Sequence, residues 1–237
     1  MLKQLNRRRF VLIFNKQKMS GLLSSSIARK FAMALSALFL VFFLLIHVSV
    51  NLLSVFSEEV FNTASHFMGT NPLVQFALQP VLIFGVVFHF VLGFVLELKN
   101  RKAVGIKYAQ NNGAANSTWM SRNMIYSGLA ILAFIVLHFI DFWIPELKYK
   151  YIDVLPENPH RYFEELQHKF ISPWRVGAYI IAFVFLALHL LHGFNSAFQS
   201  MGLNNAYTKS FKKCANGYAI LVPALFIFIA LFHHFNH

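Results

Sequence analysis

The chain has 237 residues, of which 57% are hydrophobic and only 13% are charged, and its formal net charge is +12. A soluble globular domain of this length needs a larger polar surface, so the composition excludes that class and indicates a protein whose solvent is the bilayer. The single cysteine, Cys214, excludes a disulfide framework and any cysteine-bound iron–sulfur or zinc centre. Metal chemistry in this chain would therefore rest on its eleven histidines.

Five stretches are long enough to cross a hydrocarbon core, which takes roughly 20 apolar residues. Residues 1–30 precede them as a basic segment whose apolar run FVLIF is too short for a signal peptide or an anchor, and Met19 is a second candidate start. Pro80 and Pro223 fall inside predicted helices and should kink them without breaking them. We predict one all-α membrane domain over 1–237, with helices I to V at about 31–54, 73–98, 121–144, 174–199 and 215–235.

The longest predicted connection joins helices III and IV, at about 145–173. It contains four prolines among mixed charges and aromatic residues, Pro145, Pro156, Pro159 and Pro173. A membrane hairpin needs only a few linking residues, so a segment of this length is expected to have a structure of its own. We predict an ordered outer cap over the bundle, with a short helix at 160–170.

The distribution of charge predicts the orientation of the chain. Segments on one side of the predicted helices hold sixteen of the 21 Lys and Arg residues, and eight of the nine acidic residues lie on the other side or at its edge, Glu97 being the exception. Cytoplasmic loops retain positive charge, so the N-terminus is predicted to be cytoplasmic and the C-terminus periplasmic, in a bacterial inner membrane. The net charge then reports topology and not nucleic-acid binding, and a basic inner face suits an acidic soluble partner.

Five histidines lie deep in the predicted helices: His47 in I, His89 in II, His138 in III, and His189 and His192 in IV. An ionisable residue inside a membrane is a functional candidate, although any one of them could equally be a neutral core histidine bonded to a carbonyl. The other six lie in loops or near helix ends and are treated as surface residues, except His66; the remaining five are His160, His168, His233, His234 and His237.

The depths of the helical histidines fall on two levels. Entering from the inner face, helices I and III reach His47 and His138 after about 17 residues, which is roughly 25 Å. Helices II and IV enter from the outer face and reach His89 and His192 after about 17 and 18 residues, so these two share the inner level. Two opposed imidazoles at each level are what two stacked bis-histidine b haems require.

The depth count does not choose between His189 and His192, which lie about one turn apart on helix IV. Glycines at i−4 and i+4 bracket His89, namely Gly85 and Gly93, and they leave room for a flat macrocycle. Glycine is also common where membrane helices pack closely, so the bracketing supports the haem interpretation without proving it.

Four segments together resemble the di-haem cytochrome b subunit, of the b558 type, of succinate dehydrogenase and fumarate reductase. They are SSSIARKFAMALSALFLVFFLLIHVSVNL around His47, VVFHFVLGFVLE around His89, RNMIYSGLAILAFIVLHFIDFW around His138 and LHGFNSAFQSMG around His192. The resemblance covers nearly the whole chain from Met19. It implies that His47 and His138 bind the outer haem iron and that His89 and His192 bind the inner one, because LHGF is similar to the family's fourth ligand motif.

The resemblance also implies partners and a substrate. Such a subunit anchors a flavoprotein that oxidises succinate and an iron–sulfur subunit, and it exchanges electrons with a quinone, here expected to be menaquinone. This chain has no G-x-G-x-x-G fingerprint for FAD and no cysteine set for clusters, so the dicarboxylate chemistry would belong to the partners. Some relatives carry a glutamate two residues before the fourth ligand, and this chain has Leu190 there, which argues against a transmembrane proton path at that residue.

The quinone site is only weakly marked in the sequence. An outer set, Glu58, Glu59 and His66, could supply proton donors beside the outer haem, and an inner set, Ser25, Ser26 and Arg29, is the rival. A solvated acidic loop is the more frequent meaning of the outer residues.

Two other classes of function account for some of these features. A transmembrane reductase of the cytochrome b561 kind also places one histidine on each of four helices, and it predicts no soluble partner subunits. A haem-free transporter with histidines in its path would show no Soret absorbance. Cytochromes that place two histidines on each of two helices do not fit the spacing, and the histidine clusters of membrane desaturases are absent from the sequence.

Overall fold

The computed structural model describes residues 25–103, 124–202 and 208–237, and its regular secondary structure in these ranges is entirely helical. Five helices within the described residues are long and apolar enough to cross a membrane. They are Ser26–Phe56, Val74–Arg101, Met124–Ile152, Pro173–Ser200 and Ser210–Phe235. These confirm the five predicted helices, while the first residues predicted for helix III, 121–123, and the candidate start Met19 lie outside the described residues.

We number the α-helices in chain order. They are α1 Ser26–Phe56, α2 Glu58–Thr70, α3 Gln79–Ala103, α4 Met124–His138, α5 Ile144–Leu147, α6 Arg161–Phe170, α7 Pro173–Ser200 and α8 Thr208–Phe235. Single π-helical turns extend two of the spans: Val74–Leu78 precedes α3, and Phe139–Trp143 and Lys148–Ile152 flank α5. We call the end of the bundle that carries α2 and α6 the outer end, after the predicted orientation.

The segment after α1 is a helix, which corrects its interpretation as an acidic loop. Ser57 ends α1, and its hydroxyl accepts a hydrogen bond from the backbone N–H of Val60 at 3.3 Å, so the same residue caps the start of α2. Glu58 and Glu59 occupy the first turn of α2, where negative charge complements the helix dipole. The chain therefore passes from α1 into α2 through a single residue.

Prolines explain two of the three π turns. Gln79 and Ile144 each precede a proline, and each donates its backbone N–H to the carbonyl five residues earlier. A proline has no N–H for the usual bond, and a π turn lets the helix continue past it. The third span consequently runs past Pro145 to Ile152, which corrects the predicted start of the outer cap at 145, whereas the short helix predicted at 160–170 is confirmed as α6. Pro223 lies inside an unbroken α8, as expected.

The spans pack around α7 and α1: α7 contacts α8, α4 and α1, and α1 also contacts α3 and α8. Aromatic rings fill the outer half of this interior, with Phe183 stacked on Phe226 at 5.2 Å between ring centroids and Phe134 against Tyr179 at 4.9 Å. The outward faces carry large apolar side chains, including Phe42 at 65% exposure and Phe84 at 67%. Such a surface suits lipid and not water.

Candidate functional site

Two of the predicted ligands meet near the outer end of the bundle. The imidazole of His47 on α1 and that of His138 on α4 lie 5.8 Å apart between ring centroids and nearly perpendicular, at 84°. Aromatic rings enclose the pair: Phe43 stacks on His47 at 5.3 Å, and Phe142 lies 5.2 Å from His138. The contact agrees with the common depth predicted for these two histidines.

A second pair of histidines lies further toward the inner end. His89 on α3 and His189 on α7 have ring centroids 6.3 Å apart at an interplanar angle of 71°. The ring of His89 is tied to Ser36 on α1, eleven residues before His47, which corresponds to about 16 Å of helix rise. The two histidine pairs therefore lie on separate levels along the bundle axis.

Two serines determine which nitrogens of the inner pair carry hydrogen. Ser36 donates its hydroxyl hydrogen to the carbonyl of Met33 at 2.9 Å, so it can only accept from Nδ1–H of His89 at 3.0 Å. Ser127 likewise donates to Met124 at 2.9 Å and accepts from Nδ1–H of His189 at 3.2 Å. Each imidazole then has its lone pair on Nε2, which is the form that binds a metal, with a serine orienting the ring.

Sequence reasoning did not identify these serines, although a signal for them exists. Ser36 precedes His47 by eleven residues on α1, and Ser127 precedes His138 by eleven residues on α4. Eleven residues are close to three helical turns, so each serine lies on the same face of its helix as the histidine that follows it. The repeated spacing places a hydroxyl at the inner level on both helices that supply the outer histidines.

The structure brings His189, and not His192, into ring contact with His89 among the described residues. It also places His189 against α4, since a Cβ built on Gly128 would lie 3.8 Å from its Cε1 atom. His192 is one turn nearer the inner end and half-buried. The pairing of His89 with His192 remains a prediction from the resemblance, and the observed contacts favour His189 in its place.

The outer pair differs from the inner pair in its hydrogen bonds. Nδ2 of Asn51, one turn along α1, lies 3.4 Å from Nδ1 of His47. Nδ1 of His138 is buried and has no hydrogen-bond partner among the described residues. A buried polar atom without a partner is costly, and it is typical of groups that serve a cofactor or take part in redox chemistry. Both levels thus fit a metal-centred group held by two imidazoles.

The glycines around His89 have a packing role. A Cβ at Gly85 would lie 2.7 Å from Cε1 of Phe39, and one at Gly93 would lie 3.2 Å from Cε of Met33. Both neighbours belong to α1. Close approach of α3 to α1 therefore accounts for these glycines, which were also predicted to leave room for a macrocycle.

The remaining histidines lie at the outer end, and one of them corrects the surface assignment. His233 on α8 is 1% exposed, and its Nε2 lies 2.8 Å from the Ser54 hydroxyl on α1. His234 is half-buried, with Nδ1 2.8 Å from the carbonyl of Phe170. The other three, His160, His168 and His237, are exposed as predicted.

A buried ion pair beside the outer histidines was not predicted as part of the site. Asp141 lies three residues beyond His138 and is 1% exposed. Its Oδ1 is 3.2 Å from the guanidinium of Arg175, and its Oδ2 accepts a hydrogen bond from the Tyr179 hydroxyl at 2.9 Å. The signal in the sequence is an acidic residue within an apolar span, which by itself marks a functional candidate.

The two predicted quinone sets lie at opposite ends of α1. Ser25 caps the start of α1, Ser26 is exposed, and Arg29 is half-buried one turn later. At the outer end, Glu58 accepts from or donates to His160 across 2.8 Å, depending on protonation, and Glu59 is exposed. His66 is more enclosed: its Nε2 lies 3.0 Å from the carbonyl of Asn158, and its ring is 4.8 Å from that of Tyr162.

Comparison of the chain with protein-family models, with curated proteins and with solved structures finds no match. The fold and composition define a polytopic helical protein with five helices of membrane-spanning length.

Proposed function

We propose that this chain is the membrane-anchor cytochrome b subunit of a succinate:quinone oxidoreductase, with two bis-histidine b haems. The observation that carries the proposal is the contact of four helix-borne histidines in two pairs at two levels: His47 with His138, and His89 with His189. Four unrelated core histidines would not be expected to pair across four different helices. The resemblance of the surrounding segments to the b558 family points to the same function.

Each histidine pair would hold one haem iron, and the serines orient the inner pair by fixing Nδ1–H. A haem bound at each level would supply one-electron chemistry across the bundle. The chain itself supplies facing imidazoles and a lining of Phe rings that excludes water. In the proposed assignment His189 is the fourth ligand, and His192, which the resemblance favours, is the alternative.

The proposed partners dock at the inner end, where the sequence concentrates its lysines and arginines. A flavoprotein and an iron–sulfur subunit would be bound there, so electrons would enter at the inner level and leave at the outer level toward menaquinone. Fumarate reduction would use the same groups in the opposite direction. The proposed location is a bacterial inner membrane with the C-terminus periplasmic.

A redox-titrated optical spectrum of the complex purified through a tag on this chain tests the proposal. We expect two low-spin b-type components with different midpoint potentials, and a pyridine haemochrome assay giving two haems per chain. Two soluble chains should co-purify. One haem or none would contradict the two-level assignment. Two haems with no soluble partner would instead favour the cytochrome b561-like reductase.

A further inference from the structure

A cavity of about 180 Å³ opens at the outer end of the bundle, between the second and third spans. Its wall combines polar, aromatic and apolar side chains from both spans, and neither predicted quinone set contributes to it. The residues that carry the argument are Gln75, Gln79, Trp143, Glu146, Lys150 and Tyr151.

All three π-helical turns among the described residues contribute to this wall. Gln75 belongs to Val74–Leu78, Trp143 to Phe139–Trp143, and Lys150 and Tyr151 to Lys148–Ile152. A π turn re-aims the side chains of a helix and occurs most often at functional sites. Three such turns around one cavity indicate that the local helix geometry serves the cavity.

The polar side chains of the wall are connected and directed. Glu146 forms an ion pair with Lys150 at 2.5 Å and accepts a hydrogen bond from Tyr162 at 2.8 Å. Tyr151 donates to Oε1 of Gln75 at 3.0 Å, which leaves the amide N–H groups of Gln75 as its donors. The amide of Gln79 has no hydrogen bond to a described residue and lines the cavity.

The cavity is also continuous with the lipid-facing surface. Pro80, Ile83 and Leu147 complete its wall, and the neighbouring Phe76, Leu78 and Ile144 are exposed at 72%, 53% and 50%. A ligand that enters here comes from the bilayer. It needs a flat ring to lie against Trp143, oxygen acceptors for the amide and ammonium donors, and an apolar chain that can remain in lipid.

We propose that this cavity binds the ring of a membrane quinone, with Gln75 and Gln79 donating hydrogen bonds to its carbonyl oxygens and Trp143 packing against the ring. The inference rests on the proposed function and assigns its substrate a site distinct from the two sets predicted from sequence. Lys150 and Glu146 supply charge at the same wall.

The position relative to the outer histidines is consistent with electron exchange. Trp143 follows His138 by five residues, which is about 7 Å of helix rise toward the outer end. Reduction of the quinone to the quinol takes up two electrons, supplied one at a time by the haem proposed at that level. It also takes up two protons, one on each oxygen, which come from the outer aqueous phase. Quinol oxidation reverses both transfers.

Photo-crosslinking with an azido-1,4-naphthoquinone, followed by peptide mapping, tests the site directly. We expect label in residues 75–83 and 143–151. Label confined to 58–66 or to 25–29 would overturn the inference in favour of one of the sets predicted from sequence. The labelling does not require haem, so a chain that proves to contain none still reports on the cavity.

Gln79→Leu and its matched control Gln167→Leu test the contribution of the wall. Gln167 lies on α6, outside the cavity, and bonds to the carbonyl of Asn236 at 3.1 Å. Losing one hydrogen bond should raise the concentration of the azidoquinone for half-maximal labelling about fivefold in Gln79→Leu and leave it unchanged in Gln167→Leu. Equal labelling in the two variants would contradict the inference. Should Gln79→Leu fail to fold, Trp143→Phe, which keeps a ring, and Trp143→Leu, which removes it, make the same comparison.

Discussion

At the scale of single residues, the inner histidine pair is oriented by hydroxyl groups from two other helices. Ser36 and Ser127 each spend their only hydrogen on a carbonyl of their own helix, so each must accept from an imidazole. Four helices thereby contribute to one level: α3 and α7 the imidazoles, α1 and α4 the serines. An imidazole whose Nδ1–H is hydrogen-bonded is a more basic ligand through Nε2.

Ser36→Ala and Ser127→Ala should each move the midpoint potential of the inner haem to more positive values while keeping its low-spin spectrum. Loss of the acceptor makes the imidazole less basic and stabilises ferric iron less. Ser49→Ala is the matched control, since the exposed Ser49 bonds only to the carbonyl of Leu45. A potentiometric titration in which all three variants match the parent would show that the serines do not act on the haem.

His189→Ala and His192→Ala distinguish the two candidates for the fourth ligand. Replacing an axial ligand opens a coordination position, so the inner haem should turn high-spin or be lost in His189→Ala. His192→Ala should keep a low-spin spectrum. Optical and electron paramagnetic resonance spectra give the answer, and the opposite pattern would return the assignment to His192 as the LHGF resemblance predicts.

At the scale of helices, the outer cap is held to the third span by a charged network around Arg161, the first residue of α6. Its guanidinium pairs with Glu146 and with Glu165, and it lies 4.1 Å from the ring centroid of Tyr149. Burial and the nearby Glu146 carboxylate raise the pKa of the Tyr162 phenol, so this side chain remains a hydrogen-bond donor across physiological pH. The network fixes α6 against the end of the third span.

Arg161→Met should destabilise the protein by about 3 kcal/mol, because it leaves buried carboxylate charge short of a partner. For a chain of this size we expect the Tm to fall by about 5–10 °C. Arg101→Met is the control: its side chain is 59% exposed and pairs with Glu97 on the surface of α3, so the cost should stay under about 0.5 kcal/mol. Thermal unfolding in detergent followed by circular dichroism measures both, and equal Tm values in the two variants would contradict the role given to α6.

At the scale of the whole molecule, an odd number of spans places the beginning of α1 and the end of α8 at opposite ends of the bundle. The contact of His233 with Ser54 shows that the last turns of α8 and α1 lie side by side. The excess of Lys and Arg at the other end then predicts which end faces the cytoplasm.

Reporter fusions test this orientation. Alkaline phosphatase fused after His237 should be active, and green fluorescent protein at the same position should be dark, because the C-terminus is predicted to be periplasmic. Fusions within residues 203–207, in the predicted cytoplasmic connection between helices IV and V, should behave in the opposite way and serve as the control. A fluorescent C-terminal fusion would reverse the orientation and move the proposed docking face to the other side.

The sequence alone determined the five spans, because the backbone in lipid must satisfy its hydrogen bonds within each helix and hydropathy is therefore a local signal. It also placed His47 with His138 by depth, since rise per residue needs no knowledge of neighbours. Only the tertiary structure distinguished His189 from His192, because a rotation of about 60° around α7 decides which imidazole meets α3. The burial of His233 depends on Ser54, 179 residues away in the chain, and the helix beyond Pro145 depends on a π turn. Each of these features is set by contacts between helices or by backbone geometry, which a residue's local sequence does not contain.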